Sequence, residues 1–186
     1  MIVFENIITN EEQLEIKNLF FSDSFPWYFQ QDISYKDNPN QKRPGLSHVF
    51  YHNEVKNSEY ESVFKNIISN GLQKMQGENF IQTSQTETVI INARAFLQLP
   101  LNEKLLTKEY DSPHIDIDNI PHTVFLYYVC DSDGDTLLFD NNRDRNIIKR
   151  ITPKQGTLVV FDGSIWHTAE QPLSNLRSII NIDIRR

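Results

Sequence analysis

The stretch of sequence that decides the fold is RSIINIDI, residues 177–184 near the C-terminus. Its side chains alternate in character, as they do in a strand whose two faces meet different surroundings. One face is almost wholly apolar and consists of Ser178, Ile180, Ile182 and Ile184. The opposite face is polar and consists of Arg177, Ile179, Asn181 and Asp183. The pattern predicts a β-strand whose apolar face packs beneath helices and whose polar face lines a wet interior or binds a ligand.

Further runs with strand character fill the C-terminal half, and they are rich in β-branched and aromatic residues. They lie at residues 88–99, 123–129, 136–139, 147–151 and 157–161, with shorter runs earlier in the chain at 27–33 and 47–51. Turn-forming residues separate them, as in the run Asp131-Ser132-Asp133-Gly134. Short strands at close, regular spacing favour an antiparallel sandwich or barrel over a parallel sheet with crossover helices.

Two amphipathic helices are predicted in the N-terminal half, and both are interpreted as scaffold that covers the sheet. Thr9-Asn10-Glu11-Glu12 has the spacing of a capping box, which opens a helix that ends near residue 22. The apolar stripe of this helix consists of Leu14, Ile16, Leu19, Phe20 and Phe21. A second helix is predicted from residue 59 to residue 75, where apolar residues recur at three- and four-residue steps.

The chain has 186 residues, a length that suits a single domain spanning residues 1–186. Helical support and early strands would occupy residues 1–80, and the main sheet residues 88–184. The formal net charge is −7, and because an acidic surface repels phosphate backbones, general nucleic-acid binding is disfavoured. Basic residues gather at 42–43 and 143–150, and both clusters are interpreted as solvated loops.

The cysteine content and the hydropathy of the sequence indicate in which cellular compartment the protein is expected. Cys130 is the only cysteine, which excludes an intramolecular disulfide and favours a reducing cytoplasm. The opening residues MIVFENIITNEEQ lack the basic start and the apolar run of a signal peptide. No segment has the length of a membrane span, so no membrane partner is expected.

Three candidate metal ligands lie on two separate segments. Within Ser112-Pro113-His114-Ile115-Asp116, residues two apart point to the same side of an extended chain, so His114 and Asp116 can offer a nitrogen and an oxygen to one ion. His167 follows a strand and the turn Asp162-Gly163. Two histidines and one carboxylate form the facial triad of non-haem Fe(II) enzymes, which leaves coordination positions open.

Arg177 lies ten residues after His167 and links the triad to a second ligand. A guanidinium directed into a barrel needs an anion, because burying an unpaired charge is costly. A dicarboxylate whose far end forks onto Arg177 is a natural partner, and a 2-oxo acid at its other end could chelate iron. The alternative is a structural salt bridge between Arg177 and an internal carboxylate such as Asp183.

Other residues compete for these roles. Asp118 shares the strand side of Asp116, which is the favoured ligand of the two. His122 is a further candidate, which would either support the metal ligands from behind or contact the substrate. His48 and His52 are interpreted as structural or rim residues on an early strand.

The order and spacing of His114-x-Asp116, His167 and Arg177 resemble the Fe(II)/2-oxoglutarate oxygenase superfamily. A basic residue ten positions after the distal histidine is most similar to the prolyl 4-hydroxylase-like branch. The run 114–129 and the motif Phe161-Asp162-Gly163-Ser164 look like the small phage and bacterial members of that branch. The resemblance covers residues 88–184 with specific motifs and the N-terminal half more loosely. It implies a mainly β fold with flanking helices, a double-stranded β-helix of the jelly-roll, cupin-like type.

By position, the resemblance implies that His114, Asp116 and His167 bind Fe(II) and that Arg177 binds the distal carboxylate of 2-oxoglutarate. The implied activity is that of a dioxygenase, which hydroxylates a substrate with dioxygen while 2-oxoglutarate is decarboxylated to succinate. The substrate, peptidyl or small molecule, is not fixed by these motifs.

The resemblance also implies that Tyr128 and Asn181 line the cosubstrate pocket. The sequence departs from the family at Gln98, near where relatives often carry a tyrosine that contacts the cosubstrate. The loop over residues 99–112 is also long, which affects the expected pocket contacts but not the triad.

Two other classes of protein stay open. One is a jelly roll that binds a metal or a sugar without oxygenase activity, in which Arg177 is a structural ion pair. The other is an inactive interaction module that binds no metal tightly. The polar segment 34–46 is interpreted as a surface loop, with an active-site lid as the sharper alternative.

Overall fold

The computed structural model describes residues 1–33, 43–77, 88–101, 110–141 and 146–186. The elements in chain order are β1 (Ile2–Phe4), α1 (Asn10–Phe20), β2 (Tyr28–Gln30), β3 (Gly45–His52), β4 (Val55–Lys56), a 3-10 helix (Glu59–Phe64), α2 (Lys65–Gly77), β5 (Ile90–Gln98), β6 (His122–Tyr128), β7 (Thr136–Phe139), β8 (Ile147–Ile151), β9 (Leu158–Asp162), β10 (His167–Ala169) and β11 (Arg177–Arg185). Most of the predicted loop 34–46, much of the loop 99–112 and the basic residues 42, 143 and 145 lie outside the described residues.

Two antiparallel sheets form the framework. The larger has the strand order β1-β9-β6-β11-β5-β3-β2, with β4 paired to β3, and the smaller has the order β10-β7-β8. Strand β11 lies near the centre of the larger sheet, where Ile180 is opposite Ala95 of β5 and Tyr127 of β6. The predicted fold class, mainly β with flanking helices and a jelly-roll sheet arrangement, is confirmed. Among the described residues, no helix combines the length and the apolar character needed to cross a bilayer.

The apolar face of β11 packs against the helices, as its alternation predicts. Ile180, Ile182 and Ile184 belong to one buried cluster that also contains Phe20 of α1 and Ile67 of α2. Complete burial of one such isoleucine contributes about 1.5–3 kcal/mol. This face therefore holds the helices against the sheet. The opposite face of β11 is left to line the space between the two sheets.

The opposite face of β11 meets a second, smaller cluster between the two sheets. Ile179 packs there with Leu126 and Tyr128 of β6 and with Leu138 of β7. The cluster fills only part of the space between the sheets. Toward Arg177 and Asn181 the same face becomes polar, as the sequence predicts.

The first helix begins as predicted, but its buried stripe is narrower. The side chain of Thr9 accepts a hydrogen bond from the Glu12 backbone at 3.3 Å, and the Glu12 carboxylate accepts one from the Thr9 backbone at 2.8 Å. Leu14 is 52% exposed and Phe21, at the C-cap, is 38% exposed. The predicted second helix is divided, because its first residues form the 3-10 helix and only residues from Lys65 onward are α-helical.

Gly71 of α2 lies tightly against the sheet. A methyl group added there would lie 2.6 Å from the Phe125 ring and 2.8 Å from Leu158, and both of these side chains are fully buried. At Gly77 of the same helix, the added group would meet nothing within 4 Å. We therefore expect Gly71→Ala to be less stable than Gly77→Ala by about 1–3 kcal/mol, the usual cost of overpacking.

Urea unfolding of both variants measures this difference. Gly71 lies inside α2 and Gly77 is its last residue, so the gain in helix propensity is larger at Gly71 and works against the expected packing cost. Equal midpoints for the two variants would mean that the helix-to-sheet contact has room to relax.

Candidate active site

A cavity of about 750 Å³ opens on the polar face of β5 and β11, between the two sheets. Three alternate residues of β11 line it: Arg177, Ile179 and Asn181. The residues opposite them on β5 are Gln98, Phe96 and Arg94 in the same order, and these also line the cavity. The wall of the cavity formed by these two strands is therefore polar at each end and apolar in the middle, where Ile179 and Phe96 lie.

The three predicted metal ligands meet in this cavity. His114 and His167 are joined by two backbone hydrogen bonds of 2.9 Å, which bring the segment around His114 onto the start of β10. Nε2 of His114 lies 3.7 Å from Oδ1 of Asp116, and Nε2 of His167 lies 3.3 Å from Oδ2. The three ligand atoms all lie within 4.8 Å of one another.

The donor set fits a divalent iron ion. Nδ1 of His114 faces the Ser112 carbonyl at 3.3 Å, and Nδ1 of His167 faces the Ile165 carbonyl at 3.1 Å. A proton on each Nδ1 would satisfy those carbonyls and leave each Nε2 lone pair available to a metal, and this is the usual way a protein orients ligating histidines. Two imidazole nitrogens and one carboxylate oxygen on one side leave other positions open, as non-haem Fe(II) chemistry requires.

The electrostatics of the cluster favour the ligand forms of Asp116 and His114. Burial alone would raise the pKa of Asp116, but His167, His114 and the Asn181 amide together hold that pKa below its usual value. Burial and the neighbouring His167 lower the pKa of His114, which favours the neutral ring. Burial disfavours the charged form of His167, yet the adjacent Asp116 raises its pKa. Metal binding to His167 would therefore displace a proton.

Arg177 is held at the other end of the cavity and is only 3% exposed. It donates to the Gly134 carbonyl at 2.9 Å, to Oε1 of Gln98 at 2.9 Å and to Oγ1 of Thr136 at 2.8 Å. All three acceptors are neutral, whereas the guanidinium carries five N–H donors. Donors therefore remain for an anion that enters the cavity.

The alternative role for Arg177, a structural salt bridge to Asp183, does not occur. No ion pair joins Arg177 to a carboxylate within the described part of the chain. The side chain of Asp183 is buried beside that of Asn92 and does not line the cavity. Burial and the nearby Asp116 raise the pKa of Asp183 well above its usual value, so its carboxyl group is a poor counter-ion.

The other residues assigned to the cosubstrate pocket lie in different places. Asn181 lines the cavity at the triad end, where its Nδ2 donates to Oδ2 of Asp116 at 3.2 Å. Tyr128 is fully buried and is not part of the lining. Its hydroxyl donates to Thr136 at 2.8 Å, so it reaches the Arg177 end through that threonine. Gln98, where the sequence departs from the family, lines the cavity and accepts directly from Arg177.

The competing residues lie away from the cluster. Asp118 is exposed and is not part of the three-residue group, which agrees with the preference for Asp116. His122 is buried, donates from Nδ1 to the Ile120 carbonyl at 2.7 Å and does not line the cavity. His48 is buried and bonded through both ring nitrogens, as a structural residue is. His52 is exposed and lies near Arg94.

Sequence reasoning missed an ion pair and a cation at this cavity, and the interpretation of Arg43 as part of a solvated loop was wrong, because its side chain is buried. Nε of Arg43 lies 2.6 Å from Oδ1 of Asp111, both side chains are buried, and Asp111 lines the cavity. Burial raises the pKa of Asp111, although Arg43 opposes the shift. No local pattern connects two residues so far apart in the chain. Arg94 did carry a signal, since it is a charged residue within the largely apolar run of β5.

Several solved structures are similar to this chain over almost its whole length. The 2OG-Fe(II) oxygenase family oxidoreductase of Burkholderia pseudomallei has a TM-score of 0.71 and 13% identity, with 99% of this chain and 84% of that chain covered. The prolyl-4-hydroxylase of Pseudomonas putida has a TM-score of 0.61 and 11% identity, with 100% and 92% covered. The viral collagen prolyl hydroxylase of Paramecium bursaria Chlorella virus-1 has a TM-score of 0.60 and 14% identity, with 99% and 94% covered.

These likenesses show that the chain has the fold of the 2OG-Fe(II) oxygenases, prolyl hydroxylases among them, and they confirm the resemblance at the level of the fold. At this low identity the likeness extends to the fold and not to the individual side chains. No protein-family model and no curated protein matches the sequence.

Proposed function

We propose that this chain is an Fe(II)- and 2-oxoglutarate-dependent dioxygenase that hydroxylates its substrate. His114, Asp116 and His167 would hold the iron, and Arg177 would bind the distal carboxylate of 2-oxoglutarate. The observation that carries the proposal is that one cavity contains both a two-histidine, one-carboxylate cluster and a buried arginine with spare donors. The fold shared with 2OG-Fe(II) oxygenases supports it.

The reaction balances with one cosubstrate and one dioxygen molecule. When bound, the iron supplies the chemistry that couples decarboxylation of the 2-oxo acid to activation of dioxygen. One oxygen atom enters the succinate carboxylate and the other is inserted into a substrate C–H bond, while carbon dioxide leaves. No further reductant is needed, because the 2-oxo acid provides two of the four electrons and the substrate provides the others.

The protein's own contribution is to bind, orient and exclude water. Arg177 orients the diacid by a fork of two hydrogen bonds to its distal carboxylate. Ile179 and Phe96 form the apolar strip between Arg177 and the triad, where the carbon chain of the diacid would lie. Asn181 donates to Asp116 and so holds that carboxylate in position, as contacts behind metal ligands do in other proteins.

Tyr128 acts in this proposal through another residue. Its hydroxyl and one guanidinium nitrogen of Arg177 both donate to the Thr136 hydroxyl, at 2.8 Å each. Thr136 is thereby fixed by two donors and fixes the guanidinium in turn. Tyr128 is a positioning residue for the cosubstrate site rather than a contact of the cosubstrate.

The proposal includes the domain organisation, the partners and the location of the protein. Residues 1–186 would act as one oxygenase domain, and this is supported by a hydrophobic cluster shared between the N-terminal helices and β11. The partners are 2-oxoglutarate, dioxygen and a substrate. A cytoplasmic location is supported by the single cysteine, Cys130, which is buried and free.

The test is to add 2-oxoglutarate to the purified protein with Fe(II) under anaerobic conditions and then to admit air. We expect a visible charge-transfer absorbance before air and succinate afterwards, both of which require the diacid to chelate the iron. Succinate in air with no absorbance change would point to contaminating activity. Neither signal, in a protein that is folded by circular dichroism, would overturn the proposal.

A further inference from the structure

Arg94 is a second cation in the cavity that the cosubstrate does not use. It lies on β5 between Val49 of β3 and Asn181 of β11. Alternation places it on the same face as Phe96, and both side chains line the cavity. Since Asn181 itself contacts Asp116, Arg94 stands beside the triad end of the cavity.

The guanidinium of Arg94 has few partners within the protein. Its Nε is buried without a hydrogen-bond partner. Its Nη2 lies 3.5 Å from Nδ1 of His52, at the outer limit of a hydrogen bond. Within the described ranges, no carboxylate forms an ion pair with it. Nε has almost no accessible surface, so an anion that arrives from the cavity would be bound by the Nη groups, for which these ranges supply no carboxylate.

One 2-oxoglutarate molecule cannot serve both arginines. Arg94 is opposite Asn181, which is four positions from Arg177 along β11, a separation of about 13 Å at the usual rise of a strand. A five-carbon diacid is shorter than this separation. Its other end would also be engaged at the triad, which lies at the Asn181 end of the cavity. Arg94 therefore remains available to a different anion.

Building on the proposed function, we infer that Arg94 binds a carboxylate group of the primary substrate, which is a small carboxylic acid. This site would hold the acid with a neighbouring C–H bond close to the triad. The whole cavity, about 750 Å³, is in the range of small-molecule sites, and the cosubstrate occupies part of it. A planar carboxylate matches the fork of a guanidinium.

The charge of the cavity favours a carboxylate over a phosphate monoester. Asp32 and Asp116 also line the cavity, against the two arginines Arg94 and Arg177, and a third aspartate in the lining, Asp111, is already paired with Arg43. Once the cosubstrate has bound, a substrate with a single negative charge meets less repulsion from these aspartates than a dianion does. Specificity for the acid over its amide follows, because only the charged oxygen pair compensates the half-buried guanidinium.

The test uses the whole protein loaded with Fe(II) and 2-oxoglutarate under anaerobic conditions. The probes are the N-acetylated amino acids, each beside its carboxamide, together with small phosphate monoesters, and binding is measured by calorimetry. Hits are then checked for stimulated succinate formation in air. We expect some acids to bind and their amides not to bind.

The variants are Arg94→Gln, Arg94→Lys and the control Arg185→Gln. Arg185 is an exposed arginine of the central strand that pairs with Glu54 outside the cavity. We expect Arg94→Gln to weaken acid binding by about 10- to 100-fold, the usual range for hydrogen bonds to a charged group. The acid affinity of Arg94→Lys should lie between those of the wild type and Arg94→Gln, because lysine keeps the positive charge but lacks the two parallel N–H donors. Arg185→Gln should bind the acids as the wild type does.

The outcomes separate this inference from the proposed function. If the wild type fails to bind iron and 2-oxoglutarate, the proposed function fails and the inference with it. If the wild type binds both, the inference alone is overturned by any of four results: no acid binds, amides bind as well as acids, phosphate monoesters bind more tightly, or Arg94→Gln binds acids normally. Retained affinity for 2-oxoglutarate in Arg94→Gln, together with weakened acid binding, supports it.

Discussion

Asp116→Ala will lose the iron, and Asp118→Ala will keep it. The carboxylate of Asp116 is the only oxygen donor of the three-residue cluster, and it lies between the two imidazoles, 3.3 Å from one and 3.7 Å from the other. Contacts that merely support a ligand typically change metal affinity by about 10- to 100-fold, so loss of the ligand itself should exceed about 100-fold. Iron content after anaerobic equilibration with a competing chelator measures the effect.

The Asp118→Ala variant is a close control, because Asp118 is two residues away, exposed and outside the cluster. It removes the same charge from the same segment. Iron content equal to the wild type in Asp116→Ala would remove the carboxylate from the proposed ligand set. Loss of iron in Asp118→Ala alone would transfer the role to that residue.

The sequence predicted the two faces of β11 because burial on a strand follows a period of two. Ile180 and Ile182 indicated the helix-facing side, and Arg177 and Asn181 indicated the cavity side. The same local logic explains why Leu14 was misjudged. A helical stripe read from sequence has no sharp edge, and only the position of the sheet determines which flanking residue is left in solvent.

Short strands were not predictable in the same way. Ile2–Phe4 and His167–Ala169 have three residues each, too few for a periodic signal. The first exists as a strand because it pairs with β9, and the second because it pairs with β7. Tertiary pairing rather than propensity stabilises such strands. His167 was nevertheless predicted to be a ligand, since its spacing from Arg177 carries information that its strand does not.

Some charged residues of the cavity could be predicted from a strand pattern, and others could not because only tertiary contacts bring them together. Arg94 could have been selected by the argument used for Arg177, since each is an arginine on the cavity face of a strand that is otherwise largely apolar. The Arg43–Asp111 pair could not, because its meaning depends on two distant loops meeting at the cavity. The sequence pattern can indicate a single charged residue on an otherwise apolar strand, but it generally does not indicate which distant residue pairs with that charge.

Arg177→Gln will weaken 2-oxoglutarate binding and leave iron binding unchanged. The guanidinium is almost fully buried and is fixed by three neutral acceptors, so an incoming carboxylate would meet a preorganised fork. Removing one partner of such a buried charge pair typically costs 2–5 kcal/mol, which is at least about 30-fold in Kd. Anaerobic titration of the iron-loaded protein with 2-oxoglutarate measures it. Arg150→Gln, which alters an arginine paired with Glu170 and Asp135, should titrate like the wild type.

Comparison with 2-oxopentanoate isolates the contact from any change in folding. This acid has the same carbon chain and the same chelating end but lacks the distal carboxylate. In the wild type it should bind more weakly than 2-oxoglutarate, and in Arg177→Gln the two acids should bind about equally, since the variant cannot tell them apart. This is a double-mutant cycle between the protein and its ligand, and general destabilisation of the cavity would affect both acids alike. If the variant keeps the wild-type preference for 2-oxoglutarate, a different group recognises the distal carboxylate, and the buried guanidinium then serves to hold Gly134, Gln98 and Thr136 together.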